Sequence, residues 1–305
     1  MLSIIIINYK TPQLTIRCLD SIYSNFTDNA EIIVIDNYSD DNSLEIIHSK
    51  YPDVKLIQND VNEGFGRANN KGIKESSGEY ILLLNSDMVI PTGTIEACIH
   101  RISQDKKIGV LGCKLVNEDG SFQKSTYSIA SIRKLLDSNL LINYIFPLKK
   151  EKIEAVMGSF MLIPRFVFNE IGLFDPDFFM YSEELELCNR INKAGYKVCY
   201  YDAVYAIHKH EGSSENKDWN NKQRFLSNAL LFYKVKGFLG YCMYNFVFIL
   251  NCFCNFFLMW FLDSKYRKSY FKTQKYYFSN VVYYFLIPFL FTKQMGDGKR
   301  LLRRS

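Results

Sequence analysis

Three short apolar runs, Ile4–Ile7, Ile32–Ile35 and Tyr80–Leu84, and a short strand-like segment, Val54–Gln58, alternate with stretches whose apolar residues recur at helical spacing. The intervening stretches are Gln13–Ser24, opened by Thr11-Pro12, then Leu44–Lys50 and Arg67–Ser76. A strand-helix-strand alternation of this length predicts an α/β fold, a mostly parallel sheet with helices on both faces. Uninterrupted apolar runs suit strands buried on both sides. The sharpest of them ends in an acid, Leu84-Asn85-Ser86-Asp87. Asp87 would emerge at the carboxyl edge of the sheet, where open α/β sheets bind ligands. A carboxylate there suits a hard divalent cation that also holds phosphate oxygens. Asn-Ser-Asp is equally the chemistry of a turn.

After Pro91 the pattern loosens. Thr92–Ser103 reads as helix, Gly109–Leu115 as strand, and Asn117-Glu118-Asp119-Gly120 as a turn, while residues 121–150 have little pattern and suit a loop region over a site. Val156–Ile163 reads as one strand, Glu183–Ala194 as a helix closed by Gly195, and Lys197–Tyr201 and Val204–Ile207 as strands. Eight cysteines without metal-ligand spacing read as reduced packing thiols of a cytosolic protein. The first strand is too short, and lacks the basic flank, to be a leader.

The last third differs in character. Phe225–Val235 reads as an amphipathic helix, and Gly237–Leu262 then runs 26 residues without a charge. Tyr276–Phe291 is a second uncharged, aromatic-rich run. From Asp263 to Ser305 ten Lys or Arg stand against two Asp, a net +8. With +5 for the whole chain, the first 262 residues carry −3. A basic tail on a mildly acidic body points to an anionic surface for the tail, and away from nucleic acid as partner of the whole protein. Aromatic runs with basic flanks suit the bilayer interface; a span, a re-entrant hairpin and an oligomer contact stay open beside it.

Three further segments join Asp87 at predicted strand ends. Asp36, directly after Ile32–Ile35, is placed to bond a ribose or base edge, or to sit in a solvated turn. In Asn62-Glu-Gly-Phe-Gly-Arg-Ala-Asn-Asn70, glycines before a helix let N–H groups approach phosphate, and Arg67 adds charge. It is no dinucleotide fingerprint, since it follows a later strand and lacks the third glycine. Phe174-Asp-Pro-Asp-Phe-Phe-Met-Tyr-Ser-Glu-Glu-Leu-Glu186 packs five acids among aromatics, where desolvation raises a carboxylate toward a working base. Glu183 and Glu184 also suit the start of a helix electrostatically. Glu186 and Arg190, four residues apart, read as a structural pair.

These segments, in this order and followed by Ala206-Ile-His-Lys-His-Glu-Gly-Ser-Ser214, resemble the family 2 inverting glycosyltransferases of GT-A (Rossmann-like) fold. Within that family they are similar to the rhamnosyltransferase-like branch that builds bacterial O-antigen and capsule chains. The likeness covers roughly residues 2–235. It implies a nucleotide-sugar-binding half (1–115), an acceptor-binding and catalytic half (116–235) and a membrane-associated tail (236–305). It implies that Asn8, Tyr9, Asp36, Asn62, Gly64, Arg67, Asn85 and Ser86 hold the nucleotide sugar. Asp87, with His208 or its neighbour His210, would bind Mg²⁺ or Mn²⁺, Glu184 would be the catalytic base, and Gly158, Asp175 and Glu183 would lie in the acceptor region.

The implied partners are a nucleotide diphosphate sugar (dTDP-rhamnose or a UDP-hexose), a saccharide or lipid-linked acceptor, and the membrane surface through residues 237–305, on the cytoplasmic face of the inner membrane. Two departures stand out: Asn85 replaces the first carboxylate of the metal motif, and Glu184 stands where Asp is commoner. A degenerate, transferase-like scaffold in a polysaccharide assembly complex is the alternative those departures leave. A sugar-phosphate nucleotidyltransferase would need a Gly-rich, Arg-containing loop after the first strand, which Asn8-Tyr-Lys-Thr-Pro12 lacks.

Overall fold

A computed structural model describes residues 1–26, 28–131, 152–209 and 217–258 of the chain. His210, the Tyr276–Phe291 run, the basic tail and most of the 121–150 segment lie outside the described residues. The chain divides into two compact units, Met1–Ile129 with Lys152–Asn221, and Ala130–Glu151 with Lys222–Ser305.

The first unit begins as the alternation predicts. Its elements run β1 (Leu2–Asn8), α1 (Pro12–Asn25), β2 (Ala30–Asp36), α2 (Ser43–Lys50), β3 (Lys55–Gln58), α3 (Gly64–Lys74) and β4 (Tyr80–Asn85). There follow β5 (Met88–Val89), α4 (Thr94–Ser103), β6 (Ile108–Val116), β7 (Phe122–Gln123), β8 (Thr126–Tyr127), β9 (Ala155–Val156), β10 (Phe160–Pro164), α5 (Arg165–Ile171), α6 (Glu183–Lys193) and β11 (Lys197–His208). The main sheet has the order β3-β2-β1-β4-β10-β6-β11-β5, with β7 beside β6.

The sheet is mixed, which corrects the mostly parallel sheet expected. β1, β2, β3 and β4 are parallel, but β10 lies antiparallel between β4 and β6, and β5 is antiparallel to β11. An apolar run carries no mark of strand direction, so the sequence pattern could not reveal the reversal. The single strand expected over Val156–Ile163 is two, β9 and β10, separated by a turn at Met157–Ser159. The two strands expected over Lys197–Ile207 are one, with irregular register between Tyr201 and Tyr205.

Alternate residues of each strand supply opposite faces. Ile4, Ile6, Val34, Leu82 and Leu84 meet Cys18, Leu19 and Ile22 of α1 and Ile47 of α2. Ile5, Ile33, Ile35, Ile81 and Leu83 meet Ala68 and Ile73 of α3 and Leu187 and Ile191 of α6. Each buried aliphatic side chain stabilises by about 1.5–3 kcal/mol, so this double-faced core holds the polar strand ends rigidly in place. The described cysteines form no disulfide, and four of them (Cys18, Cys98, Cys113, Cys188) are buried packing groups.

Most of the described second unit is one element, α7 (Lys217–Leu258), which begins in the first unit and leaves helical geometry at Gly237 (φ 69°, ψ −169°). Phe225 and Phe248 have ring centroids 4.5 Å apart, and Phe232 and Tyr244 4.7 Å apart. In a straight helix Phe225 and Phe248 would be about 35 Å apart, so the element turns back on itself at Gly237. Leu239, Met243, Phe246, Leu250 and Phe253 remain exposed at spacings that share one helix face. No helix of the described residues is long and apolar enough to cross a membrane.

Candidate active site

The polar ends of β1, β2 and β4 share one edge of the sheet. Asn8 and Asp36 are register partners. Asn8 Nδ2 donates to Asp36 Oδ1 at 2.7 Å, Ser39 N to Asp36 Oδ2 at 3.0 Å, and Ser39 Oγ to Asp36 Oδ1 at 2.5 Å. Thr15 Oγ1 and Lys10 N close the network onto Asn8 Oδ1 and Ser39 Oγ. Asp36 thereby ties the β1–α1 and β2–α2 loops together. Tyr9 lies beside this network with the Lys10 ammonium 5.6 Å from its ring centroid, and Thr11 Oγ1 reaches Ser86 Oγ at 3.3 Å.

The Gly-rich segment is bound to the acidic one. Gly64 has φ +77° and lies so close to Phe179 that a Cβ would stand 2.0 Å from its carbonyl oxygen. The next amide, Phe65 N, donates to that oxygen at 2.8 Å. Asn62 Oδ1 accepts from Gly64 N and from Asn37 Nδ2. Arg67 Nε donates to Pro176 O at 2.7 Å, and Asn70 pairs with both backbone groups of Phe174. Asp175 Oδ1 caps the following turn through Asp177 N. Arg190, bidentate to Glu186, also donates to the carbonyls of Ile171 and Leu173, the structural role expected for that pair.

That clamp sets the start of α6. Tyr181 and Ser182 precede it in left-handed conformation (φ 69° and 68°), at a cost of order 1–3 kcal/mol each for non-glycine residues. Glu183 is buried, and among the described residues its Oε2 has no hydrogen-bond partner. Burial, then the charge of Glu184, pushes the Glu183 carboxyl well above the usual carboxylate range, which favours its protonated form. Glu184 is half-buried. Gly158, in the turn between β9 and β10, faces it: a Cβ there would lie 3.6 Å from Glu184 Cβ and 3.3 Å from the Phe65 ring. The same turn meets β4, because Asn85 N donates to Ser159 O at 3.1 Å. The turn therefore brings Glu184 to the strand end that carries Asn85, Ser86 and Asp87.

Asp87 and His208 meet because β5 and β11 pair, with Met88 opposite His208. His208 Nε2 lies 3.3 Å from Asp87 Oδ1, both residues are buried, and Lys209 N donates to Asp87 O at 3.1 Å. The Asp87 charge reaches Cys18 on α1, where burial first and that charge second push the thiol up. At the other ring nitrogen, His208 Nδ1 is 2.8 Å from Gln123 Oε1. Gln123 was not visible as a site residue, being 85 positions away. Neither was Ser159, whose buried Oγ has no partner among the described residues.

The donor set fits a divalent cation. Two ligands at about 2.1 Å and right angles stand about 3.0 Å apart, close to the 3.3 Å observed. Among the described residues no group of three His, Cys, Asp or Glu side chains assembles for a metal. A cation here would be held by two protein ligands, with oxygens of water or substrate completing its shell.

Residues 3–172 match the family described as Glycosyl transferase family 2. The chain belongs to that family. It is 28% identical to the low-salt glycan biosynthesis hexosyltransferase Agl10 of Haloferax volcanii, over 76% of this chain and 77% of the relative. It is 27% identical to the rhamnosyltransferase WbbL of Escherichia coli K12, over 68% of this chain and 83% of the relative. It is 26% identical to the N-acetylglucosaminyl-diphospho-decaprenol L-rhamnosyltransferase of Mycobacterium tuberculosis, over 61% and 68%. In fold it is similar to the mannosyltransferase PcManGT of Pyrobaculum calidifontis, solved with GDP-Man and Mn²⁺, at TM-score 0.60 and 14% identity over 96% of this chain and 87% of that one. The protein is thus a glycosyltransferase with the GT-A architecture and rhamnosyl- and hexosyltransferase relatives.

Proposed function

We propose that the protein transfers a sugar, with inversion, from a nucleotide diphosphate sugar to a hydroxyl of a lipid-linked or growing saccharide. The observation that carries the reading is the strand-end cluster of Asp87 and His208, joined through Asn85 and the Gly158–Ser159 turn to Glu184. Glu184 takes the proton of the acceptor hydroxyl as its oxygen bonds the anomeric carbon and the bond from that carbon to the diphosphate breaks. Burial favours the neutral form of Glu183, the member of the pair that does not act as base. Mg²⁺ or Mn²⁺ bound by Asp87 and His208 would supply neutralisation of the charge that builds on the leaving diphosphate. Asn8, Tyr9, Asp36, Asn62, Gly64, Arg67, Asn85 and Ser86 line or brace the donor side; Gly158 and Asp175 shape the acceptor side. Glu184→Gln is expected to lower kcat by about 10²–10⁴ with KM little changed; near-normal turnover by the purified variant would remove Glu184 as base.

A diphospho-polyprenol acceptor, of the kind for which the mycobacterial relative is named, would place the enzyme at the cytoplasmic face of the membrane. The exposed stripe of Leu239, Met243, Phe246, Leu250 and Phe253, with the basic residues after Asp263, supports attachment in the bilayer interface. Replacing Leu239, Phe246 and Phe253 by Glu leaves the Tyr244–Phe225 packing intact and should shift the protein from pelleted vesicles to supernatant. Unchanged sedimentation would reject the attachment.

A further inference from the structure

His208 is the innermost link of a hydrogen-bonded chain that starts at the surface turn between β6 and β7. Ser121 Oγ lies 2.6 Å from Asp119 Oδ1. An ionised carboxylate only accepts, so the hydroxyl proton points to Asp119. The Ser121 oxygen then accepts from Asn117 Nδ2 at 2.8 Å. With its amide nitrogen so engaged, Asn117 turns Oδ1 toward Gln123 Nε2, 3.2 Å away. Gln123 in turn presents Oε1 to His208 Nδ1 at 2.8 Å. Amide orientation and imidazole tautomer are assignable only from such networks, and here the terminal carboxylate gives every link the same direction.

Gln123 Oε1, an acceptor in this chain, therefore draws the proton of the neutral imidazole to Nδ1. The ring's Nε2 lone pair then faces Asp87 Oδ1, 3.3 Å away. By the same rule Asp87 would accept from an Nε2–H, so two acceptors compete for the one proton of the neutral ring, and Gln123 Oε1 is the nearer. With the proton on Nδ1, Nε2 and Asp87 Oδ1 stand close enough to share one cation. The innermost link is buried on both sides, since Gln123 and His208 are each less than a tenth exposed. Glu118, in the same turn, pairs with Arg17 on α1 at 2.9 Å and with Lys209 at 3.1 Å, which fastens the turn beside His208.

We infer that the Asn117–Gln123 hairpin turn is a positioning element of the active site: through Gln123 it holds His208 as the Nδ1–H tautomer, so that Nε2 and Asp87 together form a two-ligand cation site. Gln123 touches neither donor nor acceptor in this role. The assignment deepens the proposed function and rests on it for the use to which the cation is put, but the tautomer itself does not depend on any reaction.

The test uses the full chain labelled with ¹⁵N-histidine at pH 8, where imidazole is ordinarily neutral. Long-range ¹H–¹⁵N correlation spectra report the tautomer, with the His208 signals identified by their loss in His208→Asn. The wild type is expected to show Nδ1–H. Gln123→Met keeps the bulk but removes the acceptor, and should convert His208 to a mixture or to Nε2–H. Mn²⁺ binding in the presence of UDP, read from the free-Mn²⁺ electron paramagnetic resonance signal, should weaken about 10–100-fold in that variant. Asp119→Asn, at an exposed position, should produce a smaller shift of both readouts in the same direction.

An Nε2–H tautomer in the wild type overturns the inference, as do an unchanged tautomer and Mn²⁺ affinity in a folded Gln123→Met. Should Gln123→Met fail to fold, the same absence of effect in Asp119→Asn overturns it. If the tautomer and Mn²⁺ results come out as expected while no nucleotide sugar is consumed, the positioning role stands and the transferase reading falls.

Discussion

Asp36 and Asp87 look alike in the sequence, each ending an apolar strand of the parallel part of the sheet, and both are buried. Their surroundings differ. Three protein donors converge on the Asp36 carboxylate, from Asn8 Nδ2, Ser39 N and Ser39 Oγ. Among the described residues the Asp87 carboxylate meets a single side chain, His208. A carboxylate saturated by its own protein acts as a bolt between loops. One that is buried and nearly bare is set up to bind something that arrives.

Substitution separates the two most sharply at Asp87. Asp87→Ala should lower transfer about a thousandfold, the several kcal/mol that charge neutralisation by a metal supplies, with the urea midpoint hardly moved. A variant that keeps its activity would erase the distinction. Asp36→Ala should do the reverse in kind: it leaves three donors unpaired in a buried site and should cost about 3 kcal/mol of stability by urea unfolding. A fully stable Asp36→Ala would show that the network is not what holds the two loops.

Glu183 offers a third carboxyl, buried, with no partner for its Oε2 among the described residues. Its pKa is raised in the folded state, so its contribution to stability is full below the unfolded Glu pKa and is lost as pH rises toward the folded value. Glu183→Gln removes that dependence. Relative to wild type it should gain up to about 1.4 kcal/mol per pH unit above the ordinary Glu range; urea midpoints across pH 4–8 that run parallel for the two proteins would contradict the burial of a neutral acid. The smallest effect belongs to Ser39→Ala, about 1 kcal/mol by thermal or urea melting. No change there would place the hold of the loop on Asn8 and the Ser39 backbone alone.

The parallel half of the sheet was legible because its strands and helices carry distinct apolar periods, and β1 to β4 and α1 to α3 fall where Ile4–Ile7 through Tyr80–Leu84 and their helical neighbours place them. The site was legible only as a set of strand-end acids. Their roles were not, because Asp36 and Asp87 differ through Ser39, Asn8 and His208, residues whose convergence is set by register and loop path. Helix α5 is only Arg165–Ile171 and begins directly after a proline, too short for a period to declare itself. The turn at Met157–Ser159 was hidden inside an apolar run, though Gly158 marked it. Gln123 carried no local signal, since its meaning lies in a partner 85 residues later.

The place of β10 has a consequence for how the chain is made. It fills the middle of the sheet, yet its residues, Phe160–Pro164, follow both of its neighbours in synthesis, β4 at Tyr80–Asn85 and β6 at Ile108–Val116. On the ribosome, β4 therefore waits with one hydrogen-bonding edge unpaired and flanked by Ile81, Leu82 and Leu83, while some 75 further residues are added. Such an edge is a template for intermolecular pairing. A nascent chain stalled before residue 160 would be the aggregation-prone form of this enzyme, and sedimentation of such a truncated chain against the full one would reveal it.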